Sequence, residues 1–276
     1  MKLYKLLKYD IKIGILKRWY LYFLVFVGAV LGGLGYYYNL VQRGLANTKG
    51  LTVINIFMYM FAGKEQFNPE VNSAFVFPIE WLLLFVFEVF IVLDYAKSNL
   101  LGHGVQVILR MHERNLWWCS KCVWVLVSTV LYFAIIYCAI LLDCLLLRIP
   151  ISINFSNTVN EKLIDLSFIS ISQIDIILFI IVAPFFTALA ANFLQLILTL
   201  FMKETHAFLV IVTWLFASTY YKNILLIGNY AMIKRNKLCI EGGIDSQWAI
   251  IIDLFIVVLC IILGMFTLRK YDIIKK

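Results

Sequence analysis

The residues with the clearest chemical potential are carboxylates placed inside apolar stretches of the chain. Glu88 lies in the middle of such a stretch, whereas Asp143 and Asp253 lie nearer the ends of theirs. A carboxylate inside a membrane usually faces a partner group or a wet cavity. We therefore expect Glu88 either to line a transport path, where it suits a cationic substrate, or to make a structural contact. Asn192, in another apolar stretch, is the second candidate for such a path, and Glu80, Asp143 and Asp253 are expected to be solvated at interfaces.

Cysteine and histidine give little support for a metal or redox centre. Cys119 and Cys122 have the C-x-x-C spacing but no second ligand pair, so ordinary packing is the expected role. The three histidines, His103, His112 and His206, are scattered. The sequence contains no H-E-x-x-H and no G-x-S-x-G motif, so we predict no catalytic residue and no metal ligand.

The composition is that of a membrane protein. Of the 276 residues, 63% are hydrophobic and only 14% are charged, against roughly a quarter charged in soluble domains. The polar connectors are too short to hold a separate soluble domain. There is no G-x-x-x-x-G-K-[ST] loop and no G-x-G-x-x-G turn, so any source of chemical energy must be on another chain.

The apolar segments predict an all-α, polytopic membrane protein with one transmembrane domain over residues 1–276. Six spans are expected, at about 19–40, 77–93, 123–147, 174–201, 206–221 and 248–268. Two further apolar segments, Leu51 to Ala62 and Asn223 to Ile233, are too short to cross. These two are expected to be re-entrant or interfacial.

The N-terminal residues 1–18 predict an amphipathic helix lying in the membrane interface. At 100° per residue its lysines cluster on one face and its leucines and isoleucines on the other. With this end in the cytoplasm, the cytoplasmic segments hold 15 of the 24 Lys and Arg residues. That asymmetry predicts both termini in the cytoplasm. Lys234, Arg235 and Lys237 argue against it, because this topology puts them outside.

The most informative connector is residues 94–122, which this topology makes cytoplasmic. It is basic and ends in the pair Trp117-Trp118, followed by Lys121. We expect a short helix parallel to the membrane, then an interfacial anchor formed by Trp117, Trp118 and Lys121. Such a helix can seat in a partner's groove, or the connector can be a basic loop that only sets topology.

This connector resembles the first intracellular loop of ABC-2-type permeases, in particular those of Gram-positive peptide export and lantibiotic immunity. Gly228-Asn229-Tyr230, before the last span, is also similar to that group. The matching residues of the connector are Asp94, Gly102, Gly104, Gln106, Arg110, Arg114, Trp117, Trp118 and Lys121. The usual family pattern has Glu and Gly-Thr in the loop and Pro at position 110, and this chain departs from it there.

The resemblance implies a permease subunit of an ABC exporter in a bacterial cytoplasmic membrane. It would move an amphipathic or antimicrobial peptide, together with a second permease chain and two ATPase subunits. No cofactor would sit on this chain, since ATP and Mg would bind the partner ATPase. Residues 97–109 would be the segment that docks on the ATPase. The coupling residues implied are Lys97, Gly102, His103, Gly104, Gln106 and Arg110.

Other functions stay open at the level of sequence. Other ABC-2 proteins export lipids, polysaccharides or drugs. A stand-alone intramembrane enzyme would be active as a single chain and would depend on Glu88 or Asp143. An accessory or sensor protein without a transport path would tolerate the loss of Glu88 but not changes in residues 94–122.

Overall fold

The computed structural model describes residues 2–68, 74–104, 114–154, 156–165 and 172–270, and none of these residues forms a β-strand. The fold is a bundle of helices joined by partly helical connectors. In chain order the helices are α1 (Lys2–Gly14), α2 (Trp19–Gln42), α3 (Val53–Phe61), α4 (Ile79–Val92), α5 (Tyr95–Asn99), α6 (Arg114–Leu147), α7 (Asn157–Ile164), α8 (Gln173–Phe201), α9 (Glu204–Tyr220) and α10 (Ser246–Lys270).

Among the described residues, four stretches of helix are long and apolar enough to cross a membrane. They are Leu3–Gln42, which contains α2, and the helices α6, α8 and α10. The helices at the other two predicted spans are shorter: α4 has 14 residues and α9 has 17. The chain is therefore an all-helical protein of membrane character, with four helices that meet the length of a span by themselves.

The third predicted span differs most from its expected bounds. Its helix, α6, begins at Arg114, nine residues before the predicted start at residue 123. The polar residues at its beginning were assigned to a loop because they interrupt the apolar run. They continue the helix, and Ser120 and Lys121 are buried there among other helices.

Helix α8 is the centre of the bundle and packs against α4, α6, α9 and α10. A π-helical turn, Leu178–Val182, lies just before Pro184. Proline has no amide N–H to donate, and such local irregularity is the usual response of a helix to it. The irregular turn thus has an identifiable cause in the sequence.

Close approach between helices depends on small residues. A Cβ atom at Gly264 of α10 would lie 2.0 Å from the Trp118 ring of α6, and one at Gly33 of α2 would lie 2.0 Å from a carboxylate oxygen of Asp143. Glycine at these two points lets the helices pack around larger side chains.

Both short apolar connectors are folded into the protein. Helix α3 is almost completely buried and begins with a capping box between Thr52 and Asn55. Asn55 also donates to Asn160 of α7 over 2.8 Å. The segment Ile227–Ala231 is a buried 3₁₀ helix against α8 and α9. Neither segment is a simple surface loop.

Arg235 holds the second of these connectors in place. Its guanidinium is fully buried and donates to the backbone oxygens of Thr219 and Tyr221, each over 2.7 Å, and of Ser218. These carbonyls belong to the C-terminal end of α9, where a cation is favoured by the helix dipole. Burial lowers the pKa of Arg235 to about 10, so it remains charged at neutral pH.

Candidate functional site

A polar cluster lies where α4, α6 and α8 meet. Glu88 of α4 is 1% exposed and accepts a hydrogen bond from Thr129 of α6 over 3.0 Å. Asn192 of α8 donates to the same oxygen of Glu88 and also to the Thr129 hydroxyl, the latter over 2.9 Å. The two residues predicted for a transport path, Glu88 and Asn192, are therefore brought into direct contact.

The cluster has more acceptors than donors. The second carboxylate oxygen of Glu88, the side-chain oxygen of Asn192 and that of Gln195 are all buried and have no hydrogen-bond partner among the described residues. Gln195 donates to the backbone oxygen of Val89 over 3.2 Å. Unpaired buried acceptors are costly, so this region attracts a proton, a donor group or a cation.

Sequence analysis missed Thr129 and Gln195 as members of this cluster. Gln195 lies three residues after Asn192 and hence on the same helical face, which is a signal that the sequence does contain. Thr129 carried no comparable signal. A threonine in an apolar helix often bonds only to its own backbone.

The other two carboxylates are inside the protein and not at a solvated interface. Asp143 and Asp253 are both fully buried. Thr187 donates to Asp253 over 2.9 Å. Within the described part of the chain neither oxygen of Asp143 has a hydrogen-bond partner. The expectation of interfacial solvation is wrong for both, because neighbouring helices cover the ends of the helices that carry them.

The second candidate region is the start of the connector after α4, residues 94–104. Besides the hydrogen bond that Tyr95 donates to Asp10 of α1, it is tied to the bundle at three points. Arg18, between α1 and α2, pairs with Asp94 through two hydrogen bonds of 2.5 and 3.1 Å. Lys97 donates to the backbone oxygen of Thr199, near the end of α8, over 2.7 Å. The third point is at Asn99.

At this third point the Trp117 indole of α6 donates to Asn99 over 3.0 Å. Gly104 lies against the same pair, since a Cβ atom there would be 2.5 Å from the Asn99 backbone oxygen. Gly102 has open space around it, with nothing within 4 Å of an added Cβ. The π-helical stretch Leu100–Gly104 is thus fixed on one side and open at Gly102.

The predicted coupling residues therefore differ in their burial and in their contacts. Lys97 is buried and donates to the backbone of α8, so it holds the segment in place, and its role in coupling stays a prediction. Gly102 is accessible and Gly104 is packed. For His103 the structure describes only the backbone, and Gln106 and Arg110 lie outside the described residues.

The predicted interfacial anchor is also inside the protein. Trp117, Trp118 and Lys121 are each at most 2% exposed. Trp118 donates to the backbone oxygen of Ile261 of α10 over 3.0 Å. Tryptophan next to lysine at the end of an apolar run is typical of a membrane interface, but here α1 and α10 cover this part of α6.

Lys121 has a buried partner that sequence analysis did not identify, Asp10 of α1. The two charges are 2.5 Å apart, and Ser120 and Tyr95 also donate to Asp10, over 2.5 and 2.8 Å. The apolar face of α1 thus rests on α6, rather than on lipid alone. A signal existed: at 100° per residue Asp10 falls between Leu3 and Leu6 on the apolar face of α1.

Two adjoining cavities open on another side of the bundle. The larger, about 530 Å³, lies between α2 and α4, with Tyr132 of α6 at its wall. The smaller, about 210 Å³, shares Tyr59, Met60 and Glu80 with it. Tyr132 and Leu84 also line a small void beside Glu88, so they stand between Glu88 and the larger cavity.

Comparison with known proteins gives a family but no function. No curated protein and no solved structure matches the chain. The family described as Protein of unknown function (DUF2705) matches residues 36–274, from the last turns of α2 to beyond α10. Because this match covers most of the sequence, the chain belongs to the DUF2705 family.

Proposed function

We propose that this chain is the permease subunit of an ABC exporter, with six spans and both termini in the cytoplasm of a bacterial cell. The four long apolar helices supply four crossings, and α4 and α9 supply the other two. At 1.5 Å per residue these two are only about 21 and about 26 Å long, against a hydrocarbon core of about 30 Å. Both pack against α8, which supports their placement beside spanning helices.

The observation that carries the proposal is the attachment of residues 94–104. A coupling segment must pass a displacement from an ATPase to the helices that move, so it needs stiff contacts with them. Asp94, Lys97 and Asn99 provide these contacts through Arg18, Thr199 and Trp117. A push on this segment would reach α2, α6 and α8 together.

The proposed substrate is an amphipathic or antimicrobial peptide, moved with ATP and Mg bound by two partner ATPase subunits and with a second permease chain. Glu88 supports a cationic substrate, since its second oxygen is buried and unpaired within the described residues. The peptide assignment itself follows from resemblance to peptide-export permeases. Export of a lipid, polysaccharide or drug would use the same coupling.

The test is affinity purification from native membranes in mild detergent, with mass spectrometry of the co-purifying chains. Three proteins are compared: wild type, Gly102→Trp and Gly35→Trp. Both glycines have nothing within 4 Å of an added Cβ, but only Gly102 lies in the proposed coupling segment. We expect an ATPase with wild type and Gly35→Trp, and its loss with Gly102→Trp.

Purification of all three proteins without any ATPase would refute the exporter assignment. An ATPase that stays bound to Gly102→Trp would leave the exporter in place but would show that docking occurs elsewhere on the chain.

A further inference from the structure

The groove between α2 and α4 has the shape of a ligand site open to the membrane. Its volume, about 530 Å³, lies within the range of roughly 300–1,000 Å³ typical of small-molecule sites. Gly28 and Gly32 of α2 line it, and the absence of side chains there leaves the space between the helices open. On its rims Leu24, Leu31 and Leu83 are more than half exposed, so the groove opens on the apolar surface of the bundle.

One end of the groove is lined by polar residues. Tyr59 donates to Glu80 over 3.2 Å, and both residues belong also to the adjoining smaller cavity. Burial, and then the neighbouring Glu80, raise the pKa of Tyr59 to about 12, so its hydroxyl stays a donor. An elongated occupant therefore meets hydrocarbon along its body and hydrogen-bonding groups at its head.

The smaller cavity presents charges of both signs. It is lined by the cations Lys64 and Lys234 and by the carboxylates Glu80 and Asp165. Lys234 is held 3.5 Å from Glu65 and 3.8 Å from Asp165, separations that leave its ammonium able to donate to a closer anionic partner. Two cations and two anions complement a head group that itself carries one charge of each sign.

We propose that this groove and the smaller cavity form one binding site for a zwitterionic phospholipid. One acyl chain lies between α2 and α4 along Gly28 and Gly32. The phosphate faces Lys64 and Lys234, and the ammonium group of the head faces Glu80 and Asp165. The site belongs to this chain alone, so it does not depend on an ATPase partner or on the export proposed above.

The experiment uses the purified full chain in phosphatidylethanolamine vesicles that contain a diazirine-acyl phosphatidylethanolamine. After irradiation, mass spectrometry locates and quantifies the labelled peptides. Gly28→Phe fills the groove, while Gly35→Phe places the same side chain on the same helix outside it, and neither added Cβ meets an atom within 4 Å. We expect labelling of α2 and α4 to fall about tenfold in Gly28→Phe, because a filled apolar site loses most of its affinity, and to be unchanged in Gly35→Phe.

A second pair of variants changes residues of α4. It tests the same groove independently, in case Gly28→Phe fails to fold. Leu83 lines the groove, and Ile79, one turn earlier, is equally exposed but does not line it. Labelling should be lost in Leu83→Trp and kept in Ile79→Trp. Loss in both variants, or in neither, would show only general contact with surrounding lipid and would overturn the site.

The head-group assignment has its own comparison. The same diazirine chain on phosphatidylglycerol, which lacks the ammonium group, should label the groove several-fold less than the phosphatidylethanolamine probe. Equal labelling by the two probes would overturn the zwitterionic head group.

Discussion

The two carboxylate oxygens of Glu88 have different surroundings. One carboxylate oxygen receives hydrogen bonds from Thr129 and Asn192, and the other has no partner in the described part of the chain. The first oxygen serves the packing of three helices. The second is a buried acceptor at which a proton or a cationic group would be stabilised.

This division predicts different results for two substitutions of Glu88. Glu88→Gln keeps an acceptor for Thr129 and Asn192, so the free energy of unfolding should change by less than about 1 kcal/mol. Glu88→Ala leaves both donors without their acceptor and should destabilise the protein by about 1–3 kcal/mol. Unfolding of the purified protein in detergent micelles measures both changes.

The exposed carboxylate Glu161 of α7 is the control, since Glu161→Ala removes a charge at the surface, away from the Glu88 cluster. If Glu88→Gln were as destabilising as Glu88→Ala, the fold would depend on the charge itself and not on the hydrogen bonds.

At the scale of helices, a buried ion pair joins α1 to α6. Asp10 and Lys121 are each at most 2% exposed in their side chains, and Tyr95 of α5 also donates to Asp10. Buried pairs of this kind contribute little net stability, but loss of one partner strands the other charge. The pair therefore specifies where α1 docks more than it strengthens the fold.

We predict that either single substitution is worse than the double one. Asp10→Leu or Lys121→Met should each cost about 3–5 kcal/mol, whereas the double variant should recover most of that loss. Hydrogen exchange of the α1 amides should report the same order, with α1 least protected in the single variants. Additive effects of the two substitutions would contradict a direct coupling.

Over the whole molecule, the buried connectors change how the charge distribution is interpreted. Lys234 and Arg235 argued against cytoplasmic termini when counted as loop residues. Both are buried, and Arg235 binds the carbonyls at the end of α9. Their positions are set by packing, whereas Lys237, the third cation of this cluster, is half-exposed and still argues against cytoplasmic termini.

Six spans and four spans place the exposed residues Glu161 and Lys203 on opposite sides of the membrane. With six spans and a cytoplasmic N-terminus, residue 161 is outside and residue 203 is inside. If only the four long helices cross, the two positions exchange sides.

We predict that a single cysteine at Glu161, in a chain with the native cysteines replaced, reacts with a membrane-impermeant maleimide in intact cells. A single cysteine at Lys203 should react only after the cells are opened. Cysteines at Lys49 and Glu241 are controls that label from outside in both topologies. The reverse pattern at 161 and 203 would support four spans.

The sequence by itself determined the class of this protein and the placement of its helices along the chain. A run of apolar residues needs a nonpolar environment and internal backbone hydrogen bonds, and both requirements are local. The six predicted spans accordingly all contain helix, and the two short apolar connectors contain helical segments. The amphipathic pattern of residues 1–18 likewise predicted α1.

Only the tertiary structure decided the partners of the polar residues. Glu88 and Asn192 were recognised separately, but their contact joins positions 104 residues apart, and that of Asp10 with Lys121 joins positions 111 apart. The same is true of Trp117 and Trp118, which local sequence placed at a membrane surface. Whether such a residue faces lipid or protein depends on the rotation and tilt of each helix against its neighbours. These are set by the packing of many side chains at once and leave no local pattern in the sequence.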